Sequence, residues 1–242
     1  MENTNKFKII IAPSKTQSDE KVLDRECKEP AFIEKANVLA EGVSKFAEEE
    51  IASIMKLKGK LLDETYQKYK NFKGASGNHV IASYTGMVFK GIEVKDYSDA
   101  EFDYLGSHLV VLSALYGPLN PFDCIKPYRL DMKMKVMDES LYNYWTEDVT
   151  GYLEGAGTII NLASSEFSKL VKLPMITIDF KEAQWDGKYK LIGTYAKMAR
   201  GLMVNYIVRN GIEDIEEIKG FDLEGYSFNK EISSDGHWIF TR

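Results

Sequence analysis

Cysteine and histidine are scarce in this chain, which holds only Cys27, Cys124, His79, His108 and His237. The two cysteines stand far apart and in no Cys-x-x-Cys arrangement, so no disulfide framework is expected and both are read as unpaired. None of the five falls at metal-ligand spacing, and the reading includes no metal and no cofactor. No run of about 18 apolar residues occurs, which excludes a conventional membrane-spanning helix. The polar opening, residues 1–6, leads straight into the apolar run 7–12, too brief for a secretory signal. The chain is therefore read as cytoplasmic, with no membrane partner. An excess of positive charge is also missing: 31 Lys and Arg face 37 Asp and Glu, a net charge of −6. That excludes a histone-like protein that coats nucleic acid through bulk charge, though not a local basic cleft.

What the chain does have is ordinary globular composition, 44% hydrophobic and 28% charged over 242 residues. It is read as a single domain, 1–242. Short apolar runs bounded by turn formers predict buried strands at 8–12, 80–84, 109–113, 158–163 and 175–180. Between them, apolar residues spaced by three and four predict a helix or helix pair over 31–55. Shorter helices are expected at 98–106 and 140–153, each behind a Ser N-cap. The C-terminal third predicts a strand at 189–194, a helix over 195–208 that buries Tyr195, Met198 and Leu202, and a short acidic helix at 212–218. Strands at 226–229 and 237–241 follow, joined through the turn formers 233–236. Strands alternating with helices predict an α/β fold with a mixed sheet flanked by helices. Residues 13–30 show no period and read as a long loop.

Three places carry candidate chemistry. Ser14-Lys15-Thr16 follows the first strand directly, and a Lys flanked by hydroxyls at a strand end suits an oxyanion or phosphate. It lacks the glycines of a P-loop, and the plain alternative is a capped turn with a solvated Lys. Residues 112–135 hold three of the six prolines and the cations Lys126, Arg129, Lys133 and Lys135. Prolines fix φ and stiffen such a segment. An extended course over 129–135 would place Arg129, Asp131, Lys133 and Lys135 on one face; an ordinary edge strand is the alternative. Residues 161–166 end a strand and open a helix, a common place for anions. In the late helix Lys197 and Arg200, spaced i, i+3, project from one side.

The blocks Ala12-Pro13-Ser14-Lys15-Thr16, Tyr84-Thr85-Gly86-Met87-Val88-Phe89-Lys90-Gly91-Ile92, Leu112 to Met132, Ile160 to Phe167 and Tyr195 to Met203 resemble, in this order, the YaaA family of peroxide stress proteins. The likeness runs over residues 8–240. Ser14, Ala114, Asp131 and Met198 stand where that family's pattern has Ala, Gly, Glu and Lys. The resemblance implies a cytoplasmic bacterial protein of the hydrogen peroxide response, with a YaaA-type α/β fold that binds DNA through a positively charged cleft and a helix-hairpin-helix-like element. Carried onto this chain, the cleft residues are Lys15, Lys126, Arg129, Lys133, Lys197 and Arg200. The hairpin falls at 51–69, turning at Lys58-Gly59-Lys60, with Leu61 where such hairpins usually carry a second glycine.

Three functions follow as expectations. The first is a monomeric peroxide-stress protein that binds DNA, duplex or distorted duplex, largely without sequence specificity. The second is an enzyme on a nucleotide-like or phosphorylated substrate, or on damaged DNA, in the same cleft, with Lys15, Arg129, Glu166 and Lys197 around it and Tyr128 or Tyr195 as acid. The third is a protein that limits free intracellular iron. Two structural expectations go with them. The cysteines do not sense peroxide directly, and Lys15, Arg129, Lys133, Lys197, Arg200 and the 161–166 junction converge on one mouth.

Overall fold

The computed structural model describes residues 7–242; the polar opening 1–6 lies outside the described residues. The chain runs from β1 (Lys8–Ile11) into helices α1 (Ile33–Ser44), α2 (Glu48–Met55) and α3 (Lys60–Lys70). Short elements follow: β2 (Asn78–His79), α4 (Val80–Ser83) and α5 (Met87–Lys90). Helix α6 (Asp99–His108) leads into β3 (Leu109–Ser113), β4 (Gly117–Leu119) and β5 (Cys124–Ile125). Next come α7 (Leu141–Leu153), β6 (Ile159–Asn161), α8 (Ser165–Ser168), β7 (Ile176–Ala183) and β8 (Tyr189–Lys190). The chain ends in α9 (Gly193–Arg209), β9 (Ser227–Phe228) and β10 (His237–Thr241).

The main sheet has the order β4-β3-β1-β6-β7-β10-β9, with β8 paired to β7. Its five central strands are parallel, and β4 and β9 close the two ends antiparallel. A parallel sheet covered on both faces needs apolar residues at every position rather than at alternate ones. Accordingly Ile9, Ile10 and Ile11 of β1 and all of Leu109–Ser113 are buried. Ser98 and Ser140 cap α6 and α7 as expected, each hydroxyl accepting the N–H three residues on. The predicted helix over 31–55 is a pair, broken between Ser44 and Glu48.

Four local expectations fail. Residues 80–84 form no strand; Val80–Ser83 is one helical turn, because so short an apolar run fits either state. Residues 129–135 are not extended: Met134 N–H bonds Asp131 O at 3.1 Å, and this turn removes the shared face of Arg129, Lys133 and Lys135. Helix α9 begins at Gly193 and buries Ala196, Ala199, Met203 and Val204, leaving Tyr195 48% exposed. The acidic stretch is a 3-10 helix at Ile215–Gly220.

The cysteines are not unpaired: Cys27 and Cys124 form a disulfide across 97 residues of sequence. Sequence distance misled here, because residues 13–30, though without regular structure, are pinned across the molecule. Lys28 N–H bonds Phe122 O at 3.0 Å and Cys124 N–H bonds Lys28 O at 2.6 Å. Those two bonds bring the sulfurs together.

Candidate functional site

In a parallel sheet the strand C-termini open on one edge, and the loops there meet. Strand β1 delivers Pro13 to Thr16, and β6 delivers Leu162 to Glu166. The stiff segment 126–131 crosses the same edge. Its Tyr128 hydroxyl shares 2.7 Å hydrogen bonds with Ser113 Oγ at the end of β3 and with the Tyr84 hydroxyl. Tyr69 donates to the Arg129 carbonyl at 2.8 Å, so the backbone bearing Arg129 is held from below as well. Helices α5 and α9 supply the remaining wall. They cross at glycines: a Cβ on Gly201 would lie 1.9 Å from the Val88 carbonyl oxygen. Gly86 plays the same part against the first loop, where a Cβ would lie 2.5 Å from Ser14 Oγ.

These segments enclose a cavity of about 540 Å³ lined by Ser14, Lys15, Thr16, Tyr128, Arg129, Asp131, Glu166, Lys197 and Arg200, with Met87, Val88, Phe89 and Phe167 as its apolar floor. Four cations face two acids. Lys15 Nζ pairs with Asp131 at 2.5 Å, and Ser14 Oγ meets Thr16 Oγ1 at 3.0 Å. Arg200 lies mostly buried and reaches Asp179 Oδ1 at 3.5 Å, while His237 Nε2 holds Asp179 Oδ2 at 2.9 Å. Burial pulls the Arg200 guanidinium below its usual range, and the Asp179 carboxylate opposes that. Burial pushes the Tyr128 phenol up to about 12, with the Ser113 and Tyr84 hydroxyls resisting. Tyr128 is therefore a neutral donor at physiological pH.

Three buried polar atoms on residues that line this cavity have no hydrogen-bond partner: Arg129 Nε, Arg200 Nε and Glu166 Oε1. Buried donors and acceptors are ordinarily satisfied, and leaving one unmade costs about 1–3 kcal/mol. Two cationic donors and one carboxylate oxygen are thus unsatisfied on residues that line one cavity.

Ser14, Lys15, Thr16, Arg129, Lys197, Arg200 and Glu166 thus come together. Lys126 and Lys133 do not. Lys126 Nζ turns to the Lys73 carbonyl at 2.9 Å and lies over the Phe72 ring. Lys133 lines a separate open groove along α7, with Tyr142, Glu147, Lys169 and Lys172. Lys58, Gly59 and Lys60 are exposed at the α2–α3 connection, away from the cavity. There Lys56 and Gly59 take left-handed φ of 52° and 57°, and Lys60 pairs with Glu64 at 3.6 Å. Tyr195 lies outside the cavity lining, with Arg242 stacked over its ring. The 161–166 junction contributes Glu166 itself, because α8 is a single turn with little dipole to offer.

Sequence reasoning missed the α5 wall and the Asp179–His237 pair behind Arg200. The glycines of Gly86-Met87-Val88-Phe89-Lys90-Gly91 were the available signal for the wall. The pair had none, because it depends on β10 lying beside β7.

The model of the family described as "Peroxide stress protein YaaA" matches residues 7–232. A UPF0246 protein of Fusobacterium nucleatum is 44% identical over 246 residues, covering 98% of this chain and 99% of its own. UPF0246 proteins of Acaryochloris marina and Francisella philomiragia are 35% and 36% identical, each covering 97% of this chain and 99% of theirs. The chain belongs to the YaaA family of peroxide stress proteins. Among the described residues, no helix is long and apolar enough to cross a membrane.

Proposed function

We propose that this protein serves the peroxide stress response in the cytoplasm by binding DNA without regard to sequence, with one phosphate-bearing nucleotide seated in the Lys15–Arg129–Arg200 cavity. The observation that carries this reading is the convergence of Lys15, Arg129, Lys197 and Arg200, from three different segments, on one cavity. Arginine forks match phosphate oxygens, and lysines add charge to the same anion. The cavity volume falls within the range of about 300–1,000 Å³ typical of small-ligand sites. A single nucleotide fits it and a regular duplex does not, so an opened or distorted strand is the expected form of DNA. Lys58 and Lys60 at the α2–α3 connection would meet the backbone outside the cavity, as phosphate contacts that position but do not specify.

The test is a binding titration of one labelled sequence as single strand, bubble and duplex. Single strand and bubble should bind more tightly than duplex, and all three should weaken between about 50 and about 200 mM salt. Equal, salt-independent affinities, or no binding at low salt, would overturn the proposal.

Glu166 supports a second reading, catalysis on the same nucleotide. Its unpartnered Oε1 among cations is placed as a general base. Product analysis separates the two. If the site only binds, Glu166→Gln tightens the anionic ligand roughly threefold to tenfold, a change of about 1 kcal/mol from one removed repulsion. If it catalyses, the same variant binds and no longer turns substrate over. The iron-limiting reading has no ligand set to argue from: among the described residues, no group of three or more His, Cys, Asp or Glu is arranged to hold a metal.

A further inference from the structure

The Cys27–Cys124 disulfide sits between the two segments that supply the cavity's first cations. Cys27 lies on the 13–30 segment, which begins with Ser14, Lys15 and Thr16. Cys124 opens the stretch that runs on to Tyr128 and Arg129. The segments touch again nearer the cavity, where Gln17 Oε1 accepts the Tyr128 N–H at 2.8 Å. Both cysteines are only half-buried. Disulfides are rare where cellular thiols keep cysteines reduced, and those found there are usually transient and redox-responsive.

The expectation that the cysteines do not sense peroxide rested on their being unpaired, and with them paired we propose the reverse: Cys27 and Cys124 are a peroxide-reactive pair whose oxidation staples the Lys15 segment to the Arg129 segment and so sets the cavity for its ligand. One thiolate attacks an oxygen of hydrogen peroxide. The O–O bond breaks, a sulfenic acid forms, and the departing hydroxide takes the proton that the thiol released. The second thiolate attacks the sulfenic sulfur, the S–S bond forms, and hydroxide leaves to become a second water. Two thiols and one peroxide give one disulfide and two waters, the sulfurs losing the two electrons that the peroxide gains. A cellular thiol reductant reverses the change.

Reduction leaves the fold its other anchors. Asn78 Nδ2 still donates to the Glu20 carbonyl at 2.9 Å, and Ser18 N–H to the Ser83 carbonyl at 2.8 Å. Without the disulfide, the stretch around residues 20–30, which holds the trypsin sites Lys21, Arg25 and Lys28, keeps only non-covalent ties, the two Lys28 backbone bonds and the Glu26 carbonyl on His79 among them, and opens more often.

The experiment uses the full chain and two readouts that need no ligand. Reduced protein, given one equivalent of hydrogen peroxide, is tested for maleimide-reactive thiols by mass and for tryptic cleavage within residues 21–28. The expected result is two labelled thiols before peroxide and none after, without intermolecular dimer. Cleavage should be several-fold slower in the oxidised form, and Cys27→Ser and Cys124→Ser should each cut at the fast rate with or without peroxide. Thiols that survive the peroxide, or equal cleavage of both forms, would overturn the proposal. It builds on the DNA-binding reading, and affinity for a single strand, measured in parallel on both forms, reports the failure of that reading separately.

Discussion

Arg129 and Arg200 reach the same cavity under opposite constraints. Arg200 is anchored, through Asp179, to His237 on the neighbouring strand, whereas Arg129 is held by its backbone while its Nε stays unmet. Asp123 shows how burial at a single residue sets pH behaviour. Its carboxyl is 5% exposed, and burial raises it to about 6, against the opposing Asn120 N–H and Lys28 charge. In the unfolded chain it titrates near 3.9. Below about pH 4 both states hold the proton and nothing is lost. Between about pH 4 and 6 the unfolded chain releases it while the fold retains it, so stability falls as pH rises and stays lower above 6. The fall attributable to Asp123 is about 1–3 kcal/mol. Denaturant titrations at pH 4 and pH 7 should show Asp123→Asn with a flatter profile than the parent by that amount. Identical profiles would show that Asp123 is not the group responsible.

The elements are held in register by close approaches that side chains would prevent. Helix α9 meets α5 because Gly201 presents no Cβ to the Val88 carbonyl. Gly201→Ala should destabilise the protein by roughly 1–3 kcal/mol through overpacking, and weaken ligand binding by displacing α5 from the cavity. Gly42 in α1 has nothing within 4 Å of a built Cβ, so Gly42→Ala should be stabilising by roughly 0.5–1 kcal/mol. Thermal unfolding of the two variants beside the parent checks both signs. The strands at 8–12, 109–113 and 158–163 were legible because a sheet covered on both faces demands unbroken apolar runs. The run at 80–84 is also mostly apolar, yet its first four residues form a helical turn, since so short a run carries no period. The partners behind Arg200 were not legible. Asp179 meets His237 because His237 sits opposite Thr177 in the β7–β10 register, and residues two apart share a face.

Across the whole molecule, net charge and local charge point in opposite directions. The chain carries −6, yet the cavity gathers Lys15, Arg129, Lys197 and Arg200 against Asp131 and Glu166. That gathering was readable in part, since Lys15 and Glu166 lie just beyond strand ends and strand ends share an edge. The exclusion of Lys126 and Lys133 was not, because a turn at Asp131–Met134 and a lysine reaching back to the Lys73 carbonyl leave no mark in residue spacing. Nor did two cysteines 97 residues apart announce a bond. The difference between Arg129 and Lys133, four residues apart and equal in charge, isolates the central claim that the cavity holds the phosphate.

The decisive measurement is the salt dependence of single-strand affinity for the parent, Arg129→Ala and Lys133→Ala, each shown to be folded. Arg129→Ala should lose roughly tenfold to a hundredfold in affinity, as the loss of a charged hydrogen bond does, and its log–log salt slope should flatten by about 0.7, one single-strand phosphate contact. Lys133→Ala should stay within about twofold of the parent, with the same slope. If Arg129→Ala binds like the parent, or Lys133→Ala loses more, the cavity is not where the phosphate binds.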